Sequence, residues 1–118
     1  MTSRILAIAI DCRQPDALAR FWCAALGYEL TRHWRDAVGL EYLEITGDGP
    51  MLLFQPVGED KVVKNRLHLD LAPVAGTQAD EVRRLCELGA TLVADEPSFP
   101  WIVLADPEGN EFCVLPPR

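Results

Sequence analysis

The residues of this chain best suited to chemistry are a histidine and the acids that neighbouring strands can bring to it. His68 lies in the segment "RLHLDL" (66–71), where strand alternation puts Arg66, His68 and Asp70 on one face and leucines on the other. The ordinary pKa of histidine suits a general base or a hydrogen-bonding group near neutral pH. A structural histidine that is hydrogen-bonded to Asp70 or Asp11 is the alternative, and the sequence leaves both open.

Asp11, Glu111 and Cys113 are further candidates for the same site. Asp11 ends the first predicted strand. If the two halves of the chain are related by internal symmetry, Asp11 flanks the same space as Asp70. The alternative is that Asp11 is simply a turn residue. Glu111 shares a face with Cys113 and can serve as an acid or a base. Cys113 packs as a small side chain unless a base lowers its pKa. We therefore predict catalytic roles for His68, Asp11 and Glu111.

Two tryptophans and an arginine are candidate ligand contacts. Trp34 and Trp101 fall near strand ends, beside segments expected to border the site, where a planar ligand can stack on an indole ring. Packing of these loops on the core is the alternative. Arg66 can clamp an anionic group through two hydrogen bonds, or it is an ordinary surface arginine. Trp22 lies on the apolar stripe of a helix and is expected in the core.

The elements that must position these residues occur twice. A strand at Arg4–Asp11 precedes a helix at Asp16–Leu26, and a strand at Arg66–Ala72 precedes a helix at Thr77–Leu88. Three more strands follow each helix: Tyr28–Trp34, Leu40–Ile45 and Met51–Gln55, then Thr91–Val93, Trp101–Leu104 and Glu111–Leu115. Because one helix covers one face of a sheet, the two halves should join and share a concave wall on their other face.

Composition favours one globular domain of 118 residues with 49% hydrophobic and 25% charged side chains. The net charge of -7 and the lack of a basic cluster argue against nucleic acid and anionic membranes as partners. No apolar run reaches membrane-spanning length, and the first residues lack a cleavage signal, so we expect a cytoplasmic protein. The four cysteines form no C-x-x-C pair, which argues against zinc-finger and thioredoxin-like chemistry.

Three segments carry a resemblance to a known family: "LARFWCAALGYEL" (18–30), "RLHLDL" (66–71) and "DPEGNEFCVLP" (106–116). In this order and spacing the chain resembles the glyoxalase-like domains of the vicinal oxygen chelate superfamily, relatives of glyoxalase I and the bleomycin-resistance proteins. The resemblance implies an α+β fold in which two βαβββ modules, at about 4–57 and 64–116 of one domain spanning 1–118, form an open cup-shaped mixed sheet with helices outside. It also implies a homodimer.

Metal-dependent members of that superfamily take one ligand from the first and one from the last strand of each module. Carried over by position, the resemblance places four residues at the ligand positions. They are Ala7, Leu53 or Gln55, His68 (or Arg66 after a shift of two residues), and Cys113, which stands where the family usually has a glutamate. Alanine and leucine cannot bind a metal, so no cofactor is expected. A divalent metal, if present, would be held by His68, Gln55 and Cys113.

The leading hypothesis is a glyoxalase-like domain that binds a small organic molecule in the cup, by sequestration or by metal-independent chemistry. The expected ligand contacts are Ala7, Leu53, Gln55, Arg66, Asp70, Trp34, Trp101 and Cys113. A metal-dependent lyase, isomerase or dioxygenase is the first alternative, and a structural oligomeric module without a ligand is the second. Whether the chain is an enzyme stays open at this point.

Overall fold

The computed structural model describes all residues from 1 to 118, and its elements run β-α-β-β-β twice. They are β1 Ile8–Cys12, α1 Pro15–Leu26, β2 Glu29–Arg35, β3 Glu41–Thr46, β4 Leu52–Pro56, β5 Asp70–Leu71, α2 Gln78–Leu88, β6 Thr91–Ala94, β7 Ile102–Ala105 and β8 Glu111–Val114. The chain divides into two compact units, Met1–Asp60 (unit 1) and Lys61–Arg118 (unit 2). The predicted α+β class and element order are confirmed. Neither helix has the length and apolar character that crossing a bilayer requires.

Unit 1 is a four-stranded mixed sheet with α1 against one face. The strand order is β1-β4-β3-β2, with β1 parallel to β4 and the other pairs antiparallel. Alternate strand positions point at the helix, and the apolar stripe of α1 packs on them. The buried side chains are Leu18, Phe21 and Trp22 of α1 and Leu43, Ile45, Leu52 and Phe54 of the sheet. Trp22 is therefore a core residue, as predicted.

Unit 2 repeats this arrangement with a smaller core. Its strand order is β5-β8-β7-β6, and β5 is parallel to β8. Leu85 of α2 is buried together with Leu104, Phe112 and Val114 of the sheet. The helix begins with a capping box, in which the Thr77 side chain accepts from the Asp80 amide and the Asp80 carboxylate accepts from the Thr77 amide.

The first strand of each unit is shorter than the sequence predicts. Strand β1 starts at Ile8, and β5 covers only two residues. Each of them pairs with one strand, the last strand of its own unit, and so it extends only as far as that pairing does. Backbone bonds from the amides of Cys113 and Leu115 to the carbonyls of Leu69 and Leu71 continue the parallel pairing of β5. Residues further upstream in each unit lack a partner strand, so their alternating pattern alone does not make them part of the sheet.

The turn between β3 and β4 is closed by an aromatic side chain. The Tyr28 hydroxyl donates to the carbonyl of Pro50 at 2.8 Å, and the ring lies against Gly47 and Gly49. A Cβ atom added to Gly47 would stand 2.3 Å from Cδ1 of Tyr28, far inside van der Waals contact. Gly47 and Gly49 of the segment "GDGP" (47–50) are thus needed for space beneath the tyrosine ring.

Substitution Gly47→Ala should therefore destabilise the protein by about 1–3 kcal/mol, the usual cost of forcing an extra methyl group into a packed site. Urea unfolding measures the change. The control is Gly58→Ala, since a Cβ added there meets nothing within 4 Å. In the background Tyr28→Ala, the Gly47→Ala substitution should cost much less. An equal cost with and without the tyrosine ring would refute the steric explanation.

Candidate functional site

The chemistry-bearing residues of unit 2 meet on the face of its sheet that α2 does not cover. The parallel pairing of β5 and β8 sets Asp70 directly beside Cys113. His68 lies two residues before Asp70 and so projects on the same side, as the sequence predicts. Leu71 and Val114, the next pair in the register, point to the helix instead. One strand register therefore brings these three side chains together.

We call His68, Asp70 and Cys113 the His–Asp–Cys cluster. The Nδ1 atom of His68 lies 3.2 Å from Oδ1 of Asp70 and 4.0 Å from Sγ of Cys113. One ligating atom from each residue lies within 4.8 Å of the others. The side chains of His68 and Asp70 are 39% and 53% exposed, whereas Cys113 is 8% exposed. The cluster thus has a buried thiol at its base and two polar groups open to solvent.

His68 and Asp70 lie within ion-pair range, with Nδ1 of the ring 3.2 Å from the carboxylate. Because a carboxylate can only accept, this approach favours the tautomer in which Nδ1 carries the proton. The Nε2 atom of a neutral ring is then an acceptor. Asp70 as the neighbour of His68 fits the structural histidine that the sequence offers as an alternative, and the role of His68 as a general base stays a prediction.

Cys113 is held as a protonated thiol. Burial raises its pKa, and the charge of Asp70 and a hydrogen bond to that carboxylate raise it further, against a smaller opposing effect of Lys64. A nucleophilic cysteine needs the opposite shift. The environment of Cys113 therefore disfavours thiolate chemistry and favours a packed thiol that donates to Asp70.

Unit 1 carries apolar side chains at the positions that match the cluster. Leu53 and Cys113 occupy equivalent positions in the two units. Each follows the buried cross-strand pair nearest the turn of its hairpin, which is Ile45–Leu52 in unit 1 and Leu104–Phe112 in unit 2. Leu53 pairs with Ala9 as Cys113 pairs with Asp70. By the same count Ala7 matches His68. Unit 1 therefore offers no nitrogen, oxygen or sulfur ligand at these positions.

The remaining candidates of unit 1 lie on the sheet face away from α1. Gln55 is paired with Asp11 on that face. Trp34 stacks on Tyr42, with ring centroids 5.5 Å apart, and the Arg32 guanidinium lies 4.4 Å from the indole centroid. The sequence predicted Gln55 as the third residue of a metal set with His68 and Cys113. In the structure the third residue beside them is Asp70, which the sequence had assigned to ligand binding.

In unit 2, Trp101 stacks on Phe99, whereas Arg66 is exposed with no ion pair.

Glu111 accepts hydrogen bonds from Nζ of Lys61 at 3.1 Å and from the amide of Asn65 at 3.0 Å. Partial burial would raise the pKa of Glu111, but these two donors outweigh it and lower the pKa to about 2. The catalytic role of Glu111 stays a prediction, and its contacts describe an anchor for the segment that leads into β5.

A family model described as a glyoxalase-like domain matches residues 7–115. No curated protein sequence matches the chain significantly.

Solved structures share the fold at low sequence identity. The fosfomycin resistance protein FosX from Mesorhizobium loti superposes with a TM-score of 0.77 at 11% identity, covering 98% of this chain and 92% of that one. FosX from Listeria monocytogenes, in an E126Q mutant complexed with Mn(II) and 1S,2S-dihydroxypropylphosphonic acid, gives 0.72 at 15% identity, covering 98% and 93%. Glyoxalase I of Leishmania major gives 0.68 at 16%, covering 97% and 86%. At these identities the likeness establishes the fold alone.

Substitution Glu111→Gln should lower the free energy of unfolding at pH 7 by about 1.5–3 kcal/mol, because two hydrogen bonds to a charged group are weakened. The folded-state pKa is depressed, so the carboxylate stabilises the protein above the ordinary value of 4.5 and loses this effect as the pH falls towards about 2. Urea unfolding across that range should show the two proteins converging in acid. Glu87→Gln, an exposed helix position, is the control. A difference that is independent of pH would contradict the assignment.

Proposed function

This chain belongs to the glyoxalase-like domain family, and we propose that it binds a small organic molecule at the His–Asp–Cys cluster of unit 2. The observation that carries the proposal is the 3.2 Å contact between Nδ1 of His68 and Asp70. It leaves Nε2 as an acceptor on a side chain that is partly open to solvent. A bound hydroxyl or amine can donate to that atom, and Nε2 can also take a proton from it.

Asp70 gives the histidine two properties that a lone surface histidine lacks. The carboxylate fixes the ring orientation, which lowers the entropy lost when a ligand is bound. It also places a negative charge 3.2 Å from the ring that would carry a positive charge if Nε2 accepted a proton. The cluster thus supports sequestration by hydrogen bonding and, for a ligand acidic enough, proton abstraction without a metal.

A metal-binding function is the second candidate, and the donor set of the cluster supports it. An open zinc site usually has three protein ligands, and histidine, carboxylate and thiolate side chains can each bind zinc. Their mutual separations, up to 4.8 Å, need only small side-chain movements to surround one ion. The sulfur donor favours zinc over manganese, which prefers oxygen. In this case His68, Asp70 and Cys113 would hold the ion, which would polarise a bound oxygen atom.

Several expectations from the sequence stay predictions beside this proposal. They are the homodimer, the cytoplasmic location, the catalytic roles of Asp11 and Glu111, and ligand contacts from Ala7, Leu53, Gln55, Arg66, Trp34 and Trp101. A structural module without a ligand also remains an alternative. That alternative gives no reason for a carboxylate to be paired with an exposed histidine at the same place where unit 1 has alanines.

The two histidines of the chain make a matched pair for testing the binding proposal by NMR. Both rings are half-exposed and lie next to a carboxylate, since His33 pairs with Glu41 at 3.2 Å. On titration with fosfomycin, with methylglyoxal plus glutathione, and with a fragment library, at least one compound should shift the His68 ring signals while those of His33 stay still. His68→Ala should abolish the binding, and His33→Ala should leave it intact. Equal responses of the two rings would count against a site at the cluster.

Calorimetric titration with ZnCl2 tests the metal candidate without any assay of activity. If the cluster binds zinc, one ion per chain should bind, and His68→Ala or Cys113→Ala should weaken the binding roughly tenfold or more. His33→Ala is again the control. Zinc binding that survives both cluster substitutions, or no zinc binding at all, would eliminate the metal candidate and leave the metal-free one.

A further inference from the structure

The face of unit 2 that carries the cluster continues into an apolar strip along β7. Val103 pairs with Cys113 and Ala105 pairs with Glu111, so both small side chains lie beside β8 on that face. Trp101 lies one residue before the start of β7, and continued alternation places it on the same face. Trp101 is then the diagonal neighbour of Cys113, about 7–8 Å away. A ligand at the cluster that extends along β7 therefore reaches an indole ring.

The end of this strip is a pair of parallel aromatic rings. Phe99 and Trp101 stack with centroids 4.8 Å apart and planes 9° apart, yet the two residues are 51% and 39% exposed. Although the two rings stack on each other, they leave aromatic surface open to solvent. They do present a rigid aromatic surface, and such a surface suits another flat ring.

Gln78 fixes the separation between the aromatic pair and the cluster. Its Nε2 donates to the carbonyl of Pro100 and to the carbonyl of Val114, each at 2.8 Å. Pro100 lies between Phe99 and Trp101, and Val114 is the residue after Cys113. One side chain at the start of α2 therefore ties the loop of the aromatic pair to the strand of the buried thiol.

The cluster selects the polar end of the ligand by its hydrogen-bonding type. The Asp70 carboxylate only accepts, and Nε2 of neutral His68 also accepts. A ligand must therefore bring donors, such as hydroxyl or amino groups. A carboxylate or other anion at the same place would meet the negative charge of Asp70 at close range, which is unfavourable.

Resting on the proposed function, we propose that the ligand of unit 2 is a planar aromatic molecule that carries a hydroxyl or amino group. Its ring lies along Val103 and against the Phe99–Trp101 pair, while its donor group bonds to His68 and Asp70. Trp101 is the residue that sets the preference for a flat ring, and Gln78 positions it.

Three matched probes test the proposal by NMR titration of the whole chain: 2-naphthol, its saturated analogue decahydro-2-naphthol, and 2-naphthoate. The first has a flat ring and a donor, the second lacks the flat ring, and the third replaces the donor by an anion. We expect 2-naphthol to bind best and to shift the His68 ring and the Trp101 indole together. Trp101→Leu should weaken 2-naphthol binding roughly three- to tenfold and leave decahydro-2-naphthol unchanged.

Leu92→Ala is the control, because Leu92 is an exposed apolar residue on the opposite side of the same sheet. Trp101→Phe, which keeps a flat ring, should retain most of the affinity and guards against loss of folding in the leucine variant. If His68→Ala abolishes binding but the three probes bind equally and Trp101→Leu has no effect, the aromatic preference is refuted while the proposed site stands. If no probe shifts either ring, the aromatic preference is refuted, and the fragment titration described above decides whether the proposed site stands.

Discussion

Parallel pairing of the first and last strand of each unit is the constraint on which the site depends. It brings β5 beside β8 although most of the unit separates them in sequence, and it sets Asp70 opposite Cys113. A slip of one residue would turn Asp70 and His68 to the helix and a leucine to the open face. Leu69 and Leu71, both half-buried, oppose such a slip, because it would bring more of their apolar surface into contact with water.

The same backbone arrangement in unit 1 carries no polar chemistry at the matching places. Ala9 and Leu53 are paired there as Asp70 and Cys113 are in unit 2. The two units thus show that the strand pairing supplies positions and that the side chains supply the chemistry. A family assignment alone does not fix which of these positions are active, since the residues at each must be examined one by one.

The sequence predicts the backbone well and the site only in part. Alternation placed His68 and Asp70 on one face correctly, because a strand buried on one side has a strong two-residue pattern. The same pattern made β1 and β5 too long, since alternation does not reveal where a partner strand ends. The raised pKa of Cys113 and the two hydrogen bonds donated by Gln78 depend on groups far away in sequence. No local pattern contains that information.

A metal ion and a hydrogen-bonding ligand would use the cluster in mutually exclusive ways. Without a metal, the Asp70 carboxylate faces Nδ1 of His68 and the thiol of Cys113, and its remaining lone pairs stay open to a ligand that brings a donor. A zinc ion would displace the thiol proton, and either the Nδ1 proton must move to Nε2 or the ring must turn so that Nε2 binds the metal. In both cases Nε2 ceases to be a free acceptor. Occupancy by zinc would therefore replace recognition of a hydrogen-bond donor by recognition of a ligand that coordinates through a lone pair.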